Sequence, residues 1–350
     1  MKGMMKAIIK SKAGEGLELT EKPIPTLGEN DVLIKIIAAS ICGTDKHIYE
    51  WDAWSQNRIK PPLTVGHELA GEIVELGEKV KTLSVGDIVS VETHIVCGEC
   101  EMCRTGNGHI CQHTEIIGVD VDGAFAEYIA MPASNCMVNK TDIDPKYISI
   151  LEPLGNAVHT LTHFDIVGKQ VAIVGCGPIG LMAVNAAKAL GASKVIAIEV
   201  DEYRMNMAKD LGADVVINPL KEDVIARVFE ETHEGVDVVA EFSGNKYAIE
   251  AAFKYVKLGG KMSLLGIPAQ NIEIDLAKDV VFKGIEIYGV VGRLMYDTWY
   301  KVVGLVEAHA LDLDKIVTHE FALEDFEKGF DLMREGKCGK IVLFPGGLNE

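Results

Sequence analysis

Gly175-Cys-Gly177-Pro-Ile-Gly180 stands between the apolar run Gln170–Val174 and a helix-patterned run over 179–190. No other feature restricts the fold as much. The first glycine permits a tight turn, the second lets backbone approach a pyrophosphate, and the third allows close helix–strand packing. The helix that follows points its free N–H groups at the phosphates. Strand–helix alternation continues from there: strands at 194–198, 215–217, 236–240, 261–265 and 286–290, with helices at 202–211, 223–231 and 246–256. Six strands in this rhythm predict a doubly wound parallel sheet, an α/β fold. Val171–Ala187 carries no charge and approaches the length of a membrane span. Gly175, Gly177, Pro178 and Gly180 interrupt it, so it reads as strand, turn and helix, with no membrane partner implied.

Glu199 ends the second strand of this series, nineteen positions after Gly180. A carboxylate there accepts hydrogen bonds from ribose hydroxyls and repels a 2′-phosphate, which favours NAD over NADP. Arg204 keeps the alternative open, since a nearby arginine can accept a 2′-phosphate, pack on the adenosine or pair with Glu199. Leu265-Gly266-Ile267-Pro268 and Val291-Gly292 follow the fifth and sixth strands, at the carboxyl ends where dinucleotides lie.

The first 150 residues read differently, as short strands (32–37, 71–76, 87–91) punctuated by Gly28, Gly77 and Gly86. They predict a β-rich, barrel-like domain with a polar insertion over about 94–118. Four of the eight cysteines fall inside that insertion, as Cys97-x2-Cys100-x2-Cys103-x7-Cys111. Met1–Lys10 holds no uninterrupted apolar stretch, so the expectation is a cytoplasmic chain with reduced thiols. Four clustered thiolates then suit a closed, structural zinc site. An iron–sulfur cluster is the rival, but the ferredoxin run continues with a three-residue gap and Cys-Pro. Here the gap is seven and Gln112 follows. With 34 Lys+Arg against 52 Asp+Glu, the net charge of −18 argues against a nucleic-acid partner.

A second set of metal-binding residue types flanks the cluster: Cys42, with Thr44, Asp45 and His47 close behind, His67-Glu68, and Glu152 at the expected junction of the two domains. Each alone has an ordinary structural explanation. Together they bring a thiolate, imidazole and carboxylates to a chain that also carries a dinucleotide motif.

Gly66-His67-Glu68-x2-Gly71-x5-Gly77-x2-Val80 resembles the pattern of the zinc-containing alcohol dehydrogenases, in the medium-chain dehydrogenase/reductase superfamily. The likeness spans the whole chain. It implies a GroES-like catalytic domain over 1–153, a Rossmann domain over 154–293, and a tail, 294–350, that returns to the first domain. By the same resemblance Cys42, His67 and Glu68 ligate a catalytic zinc, giving two zinc ions per chain. Glu152 stands where many members place a cysteine, which leaves it between direct ligand and neighbouring carboxylate. Thr44 and His47 are implied as a proton relay, and Ile179, Leu265–Pro268, Val291 and Gly292 as cofactor contacts. Thr44–Trp54, Pro61-Pro62 and Glu152–His159 resemble the branch that oxidises the C3 hydroxyl of L-threonine with NAD to 2-amino-3-oxobutanoate. A polyol or diol dehydrogenase is the alternative. His94 corresponds to a position near substrate, Trp51 and Trp54 either line the pocket or pack, and a homotetramer is implied.

Overall fold

The computed structural model describes residues 3–348. They form two compact units: residues up to Glu152 together with those from Val317 onward, and Pro153–Ile316.

The first unit is built around the strand Asp31–Ser40, whose side chains are buried on both faces and therefore read as a nearly continuous apolar run. It pairs antiparallel with Glu68–Leu76, with Tyr128–Pro132 and with Lys340–Phe344. Val317–Ala322 lies parallel to Lys340–Phe344 at the sheet edge. Ile34, Ile36, Ile73, Val89, Phe125 and Ile341 fill the core between these layers. The cysteine insertion leaves the sheet through a two-stranded ribbon, His94–Ile95 against Glu115–Ile116. Between its strands the chain forms only the short helices Glu101–Arg104 and Gly108–Ile110.

The second unit carries a six-stranded parallel sheet in the order Val215–Ile217, Lys194–Ile198, Gln170–Val174, Val236–Glu241, Val256–Leu264, Glu286–Gly289. In chain order this is third, second, first, fourth, fifth, sixth. The direction of winding reverses between the first and fourth strands, which opens a crevice at their carboxyl ends. Pro178–Ala189 packs on the sheet through a face of small residues, among them Gly180, Ala183, Ala186 and Ala187, all buried. Asp201, Asp223 and Asn245 cap the next three helices through their side chains, each cap worth about 1 kcal/mol.

The first unit boundary falls at Glu152/Pro153, one residue from the expected 153/154, inside a helix, whereas the second differs. The helix Leu151–Thr162 runs through Pro153, because proline in a first helical turn removes no intrahelical hydrogen bond. The tail rejoins the first unit at Val317 rather than at 294. The helix Asp297–Glu307 stays with the second unit because Thr298, Trp299, Val302 and Val306 are buried. No helix among the described residues is long and apolar enough to cross a membrane.

Candidate functional site

Cys42 is the N-cap of the helix Gly43–Glu50, and its backbone N–H donates to Asp45 Oδ2 at 2.8 Å. His67 and Glu68 stand where the strand Glu68–Leu76 begins, next to Asp31–Ser40. The fold thereby gathers the donor atoms of Cys42, His67 and Glu68 within 4.8 Å of one another. Asp45, fully buried, holds Oδ1 3.5 Å from His67 Nδ1. Carboxylates in this position orient metal-ligating imidazoles.

Glu68 is fixed from behind. Ser40 Oγ and Lys340 Nζ both donate to its Oε2, and Lys340 Nζ also donates to the Ile41 carbonyl at 2.8 Å. Among the described residues its Oε1 is buried with no hydrogen-bond partner, and His67 Nδ1 has only the longer ion-pair contact to Asp45. Burial pushes the Glu68 carboxyl up, the Lys340 ammonium pulls it down, and Glu152 adds to the rise. Burial also opposes a charge on Lys340, but the Glu68 carboxylate and Cys42 hold it above its ordinary value. His67 follows the same pattern: burial lowers it, and Asp45 and Cys42 outweigh burial, so it lies well above the usual imidazole value. The pocket is electrically built to hold positive charge. An orphaned buried carboxylate oxygen, a thiol and an imidazole fit a borderline cation such as zinc.

Glu152 occupies the first turn of Leu151–Thr162 and is nearly buried. It is not among the three converging donors, yet its charge reaches Glu68. Thr44 is half-buried one helical turn before His47, which is exposed and bonded through Nδ1 to Asp52 Oδ2 at 2.8 Å. His94 donates its backbone N–H to Glu92 Oε1, and its Nδ1 lies 2.9 Å from the same oxygen.

The four cysteines of the insertion form a second cluster. Sulfur–sulfur distances are 3.5 Å for Cys97–Cys111, 3.6 Å for Cys100–Cys103, 3.8 Å for Cys100–Cys111 and 4.0 Å for Cys97–Cys103. A tetrahedron with Zn–S bonds of about 2.3 Å has edges of about 3.8 Å. The sulfurs also accept backbone N–H groups: Cys100 N to Cys97 Sγ, and His113 N to Cys111 Sγ. That suits thiolates.

At the crevice of the parallel sheet lies a cleft of about 620 Å³, lined by Gly175, Gly177, Glu199 and Arg204 among others. A Cβ on Gly180 would come within 1.9 Å of the Gly175 carbonyl oxygen. Gly180→Val is therefore expected to destabilise the turn by about 1–3 kcal/mol, the size of an overpacking penalty; thermal unfolding checks it. Glu199 folds back on the glycine turn: Oε2 accepts from Cys176 N at 2.7 Å, and Oε1 from the N–H groups of Val200 and Asp201. Arg204 makes no ion pair with Glu199 among the described residues, and its Nε is buried without a partner beside the cleft. Ile179, Leu265–Pro268, Val291 and Gly292 lie outside this cleft lining. Ile267 and Val291 are exposed. Phe242, Ser243, Asn245 and Tyr247, after the fourth strand, line the cleft although sequence reasoning passed over them; their place at a strand's carboxyl end was the available signal.

A family model described as an alcohol dehydrogenase GroES-like domain matches residues 28–141, and one described as a zinc-binding dehydrogenase matches 178–308. The chain belongs to the zinc-binding alcohol dehydrogenase family. A relative from Caldanaerobacter subterraneus subsp. tengcongensis, named L-threonine 3-dehydrogenase, is 54% identical over 99% of this chain and 100% of its own. One of the same name from Bacillus subtilis is 50% identical over 98% and 99%. Among solved structures, the 2R,3R-butanediol dehydrogenase from Bacillus subtilis superposes with a TM-score of 0.89 at 28% identity. That match covers 97% of this chain and 99% of the other. Family membership gives the two clusters their reading as candidate catalytic and structural zinc sites.

Proposed function

We propose that this dehydrogenase oxidises L-threonine at its C3 hydroxyl with NAD, giving 2-amino-3-oxobutanoate and NADH. The observation that carries the reading is identity of about one residue in two, over the full length of both chains, with relatives named L-threonine 3-dehydrogenase.

Cys42, His67 and Glu68 would hold the catalytic zinc, and Cys97, Cys100, Cys103 and Cys111 the structural one. Zinc at the first site supplies Lewis acidity that makes a secondary hydroxyl easier to deprotonate. NAD, held across the glycine turn, supplies the hydride acceptor. The chain's own work is positional. Asp45 orients His67, while Lys340 and Ser40 hold Oε2 of Glu68 and leave Oε1 available to a cation. Thr44 would take the hydroxyl proton and pass it toward His47 at the exposed end of the same helical turn. Glu152 acts beside the zinc as a nearby carboxylate or an additional ligand, and His94, aligned by Glu92, contacts substrate. Glu199 and Arg204 bound the adenosine end, and Gly175, Gly177, Ile179, Gly180, Leu265, Gly266, Ile267, Pro268, Val291 and Gly292 the remainder of the cofactor.

A cytoplasmic homotetramer is part of the same reading. Association between copies, though not their number or the compartment, is supported by the edge strand Glu286–Gly289 with Ile287 exposed, and by Phe282 at 81% exposure shortly before it. Bare apolar edges of this kind call for a covering partner.

A diol dehydrogenase is the second reading, favoured by the similarity to the butanediol enzyme. Purified protein with its metal content measured should form NADH from L-threonine and hold two zinc ions per chain. Turnover of 2,3-butanediol or sorbitol without turnover of L-threonine would replace the first reading with the second.

A further inference from the structure

We propose that His159 and Asn156 are positioning residues for the cofactor. They clamp Val291–Arg293, the segment that follows the sixth strand. The inference rests on the reading above that Val291 and Gly292 border NAD.

The motif Gly155-Asn156-Ala-Val-His159 lies on Leu151–Thr162, with Gly155 and Asn156 four and three positions before His159. That spacing sets the three on one helix face. All three meet the same short segment. His159 Nδ1 lies 2.8 Å from the Gly292 carbonyl oxygen. A carbonyl only accepts, so Nδ1 carries the hydrogen, and in the neutral ring Nε2 is the acceptor turned to the Tyr288 hydroxyl at 3.5 Å. Tyr288 belongs to the sixth strand itself. The imidazole is thus held by the strand and in turn holds the peptide that leaves it.

Arg293 completes the clamp. It is 1% exposed, a burial that a guanidinium tolerates only with partners. Nη1 donates to Asn156 Oδ1 at 2.9 Å, and the guanidinium lies 5.8 Å from the centre of the Trp299 ring. Its stem crosses Gly155, where an added Cβ would stand 2.5 Å from Arg293 Cδ. Glycine at 155 is the condition for the arginine to lie there. Gly292, with φ of +51°, bears the first anchor and directly precedes the second, in a left-handed conformation that other residues resist.

Val291 is left half-exposed at the mouth of the sheet while the two residues after it are tied down on one helix face. A preordered segment loses less freedom when a ligand docks on it, so the clamp acts on cofactor affinity. Its removal should raise the Kd for NADH and the KM for NAD without removing zinc.

The test uses the full-length, zinc-loaded enzyme and titration with NADH followed by fluorescence. His159→Leu deletes the donor, and the Kd should rise about tenfold, as expected for one lost hydrogen bond with the ordering it imposes. His159→Asn, whose amide can take the Nδ1 position, should bind within about threefold of the unaltered enzyme. Asn156→Leu and Asn156→Asp make a matching pair, the aspartate keeping an acceptor for Arg293, and this pair decides the matter if His159→Leu does not fold. Unchanged affinity in the leucine variants, or equal losses in the leucine and conservative variants, overturns the clamp. Val291→Asp tests the underlying reading separately. If it leaves NADH binding intact, the segment does not border the cofactor and both ideas fall; if it weakens binding while the leucine variants do not, only the clamp falls.

Discussion

Cys42→Ser is expected to lower kcat/KM for L-threonine by at least about 10³-fold, the several kcal/mol that a Lewis acid contributes. NADH binding should be preserved, because the glycine turn and cleft lie wholly within Pro153–Ile316. The reasoning starts from the donor set. Cys42, His67 and Glu68 converge within 4.8 Å, and a serine hydroxyl in place of the thiolate removes both a negative charge and the soft ligand that favours zinc. Metal analysis should show one of two zinc ions lost. Cys100→Ser should lose the other ion instead, and with it the order of the 94–118 insertion. Retention of both ions in Cys42→Ser with turnover within about tenfold of the unaltered enzyme would refute the assignment.

The second large effect is expected at Lys340. Lys340 and Glu68 are both essentially fully buried, and each satisfies the other. Removing one partner of such a pair costs about 3–5 kcal/mol, since a carboxylate is left in the interior without compensation. Lys340→Met should therefore lower the melting temperature of metal-free protein by roughly 10 °C. The loss should be smaller when zinc is bound, because the ion supplies some of the missing positive charge. Glu68→Gln added to Lys340→Met should recover much of the stability, a coupling that a double-mutant cycle isolates. A loss under about 1 kcal/mol in metal-free Lys340→Met would mean that the pair is not what holds Glu68.

How far these residues were visible in the sequence depends on how local their interactions are. The glycine turn and the four-cysteine cluster are each written within a short stretch, and spacing alone carried them. The parallel sheet was readable because each strand announces itself by composition and each is separated from the next by a helix. Cys42 and His67-Glu68 come from different elements, and resemblance to a known pattern was needed to join them. Lys340 had no signal at all: it opens an apolar strand 272 positions from the carboxylate it serves, and nothing near it in the chain marks it as polar machinery. Asp45 could have been found, since an acidic residue three positions into a helix led by Cys42 is a capping arrangement. The helices Leu151–Thr162 and Asp297–Glu307 were missed for opposite reasons. The expected domain boundary at 153/154 falls inside the first, whose opening turn tolerates Pro153, and the buried face of the second depends on Trp299 packing that pattern alone does not specify.

The pairing of Lys340–Phe344 with Asp31–Ser40 also sets an order of events during synthesis. As the chain emerges from the ribosome, Pro153–Ile316 is contiguous and has all its sheet partners once its own last residues are out. The first unit does not: its central strand waits for a partner made some three hundred residues later, and loop closure over that distance is slow to nucleate. The carboxylate destined for metal therefore spends most of translation without its lysine. Pro153–Ile316 is finished first, and the unit that carries Cys42, His67 and Glu68 is locked only when Lys340–Phe344, made later, pairs with its central strand.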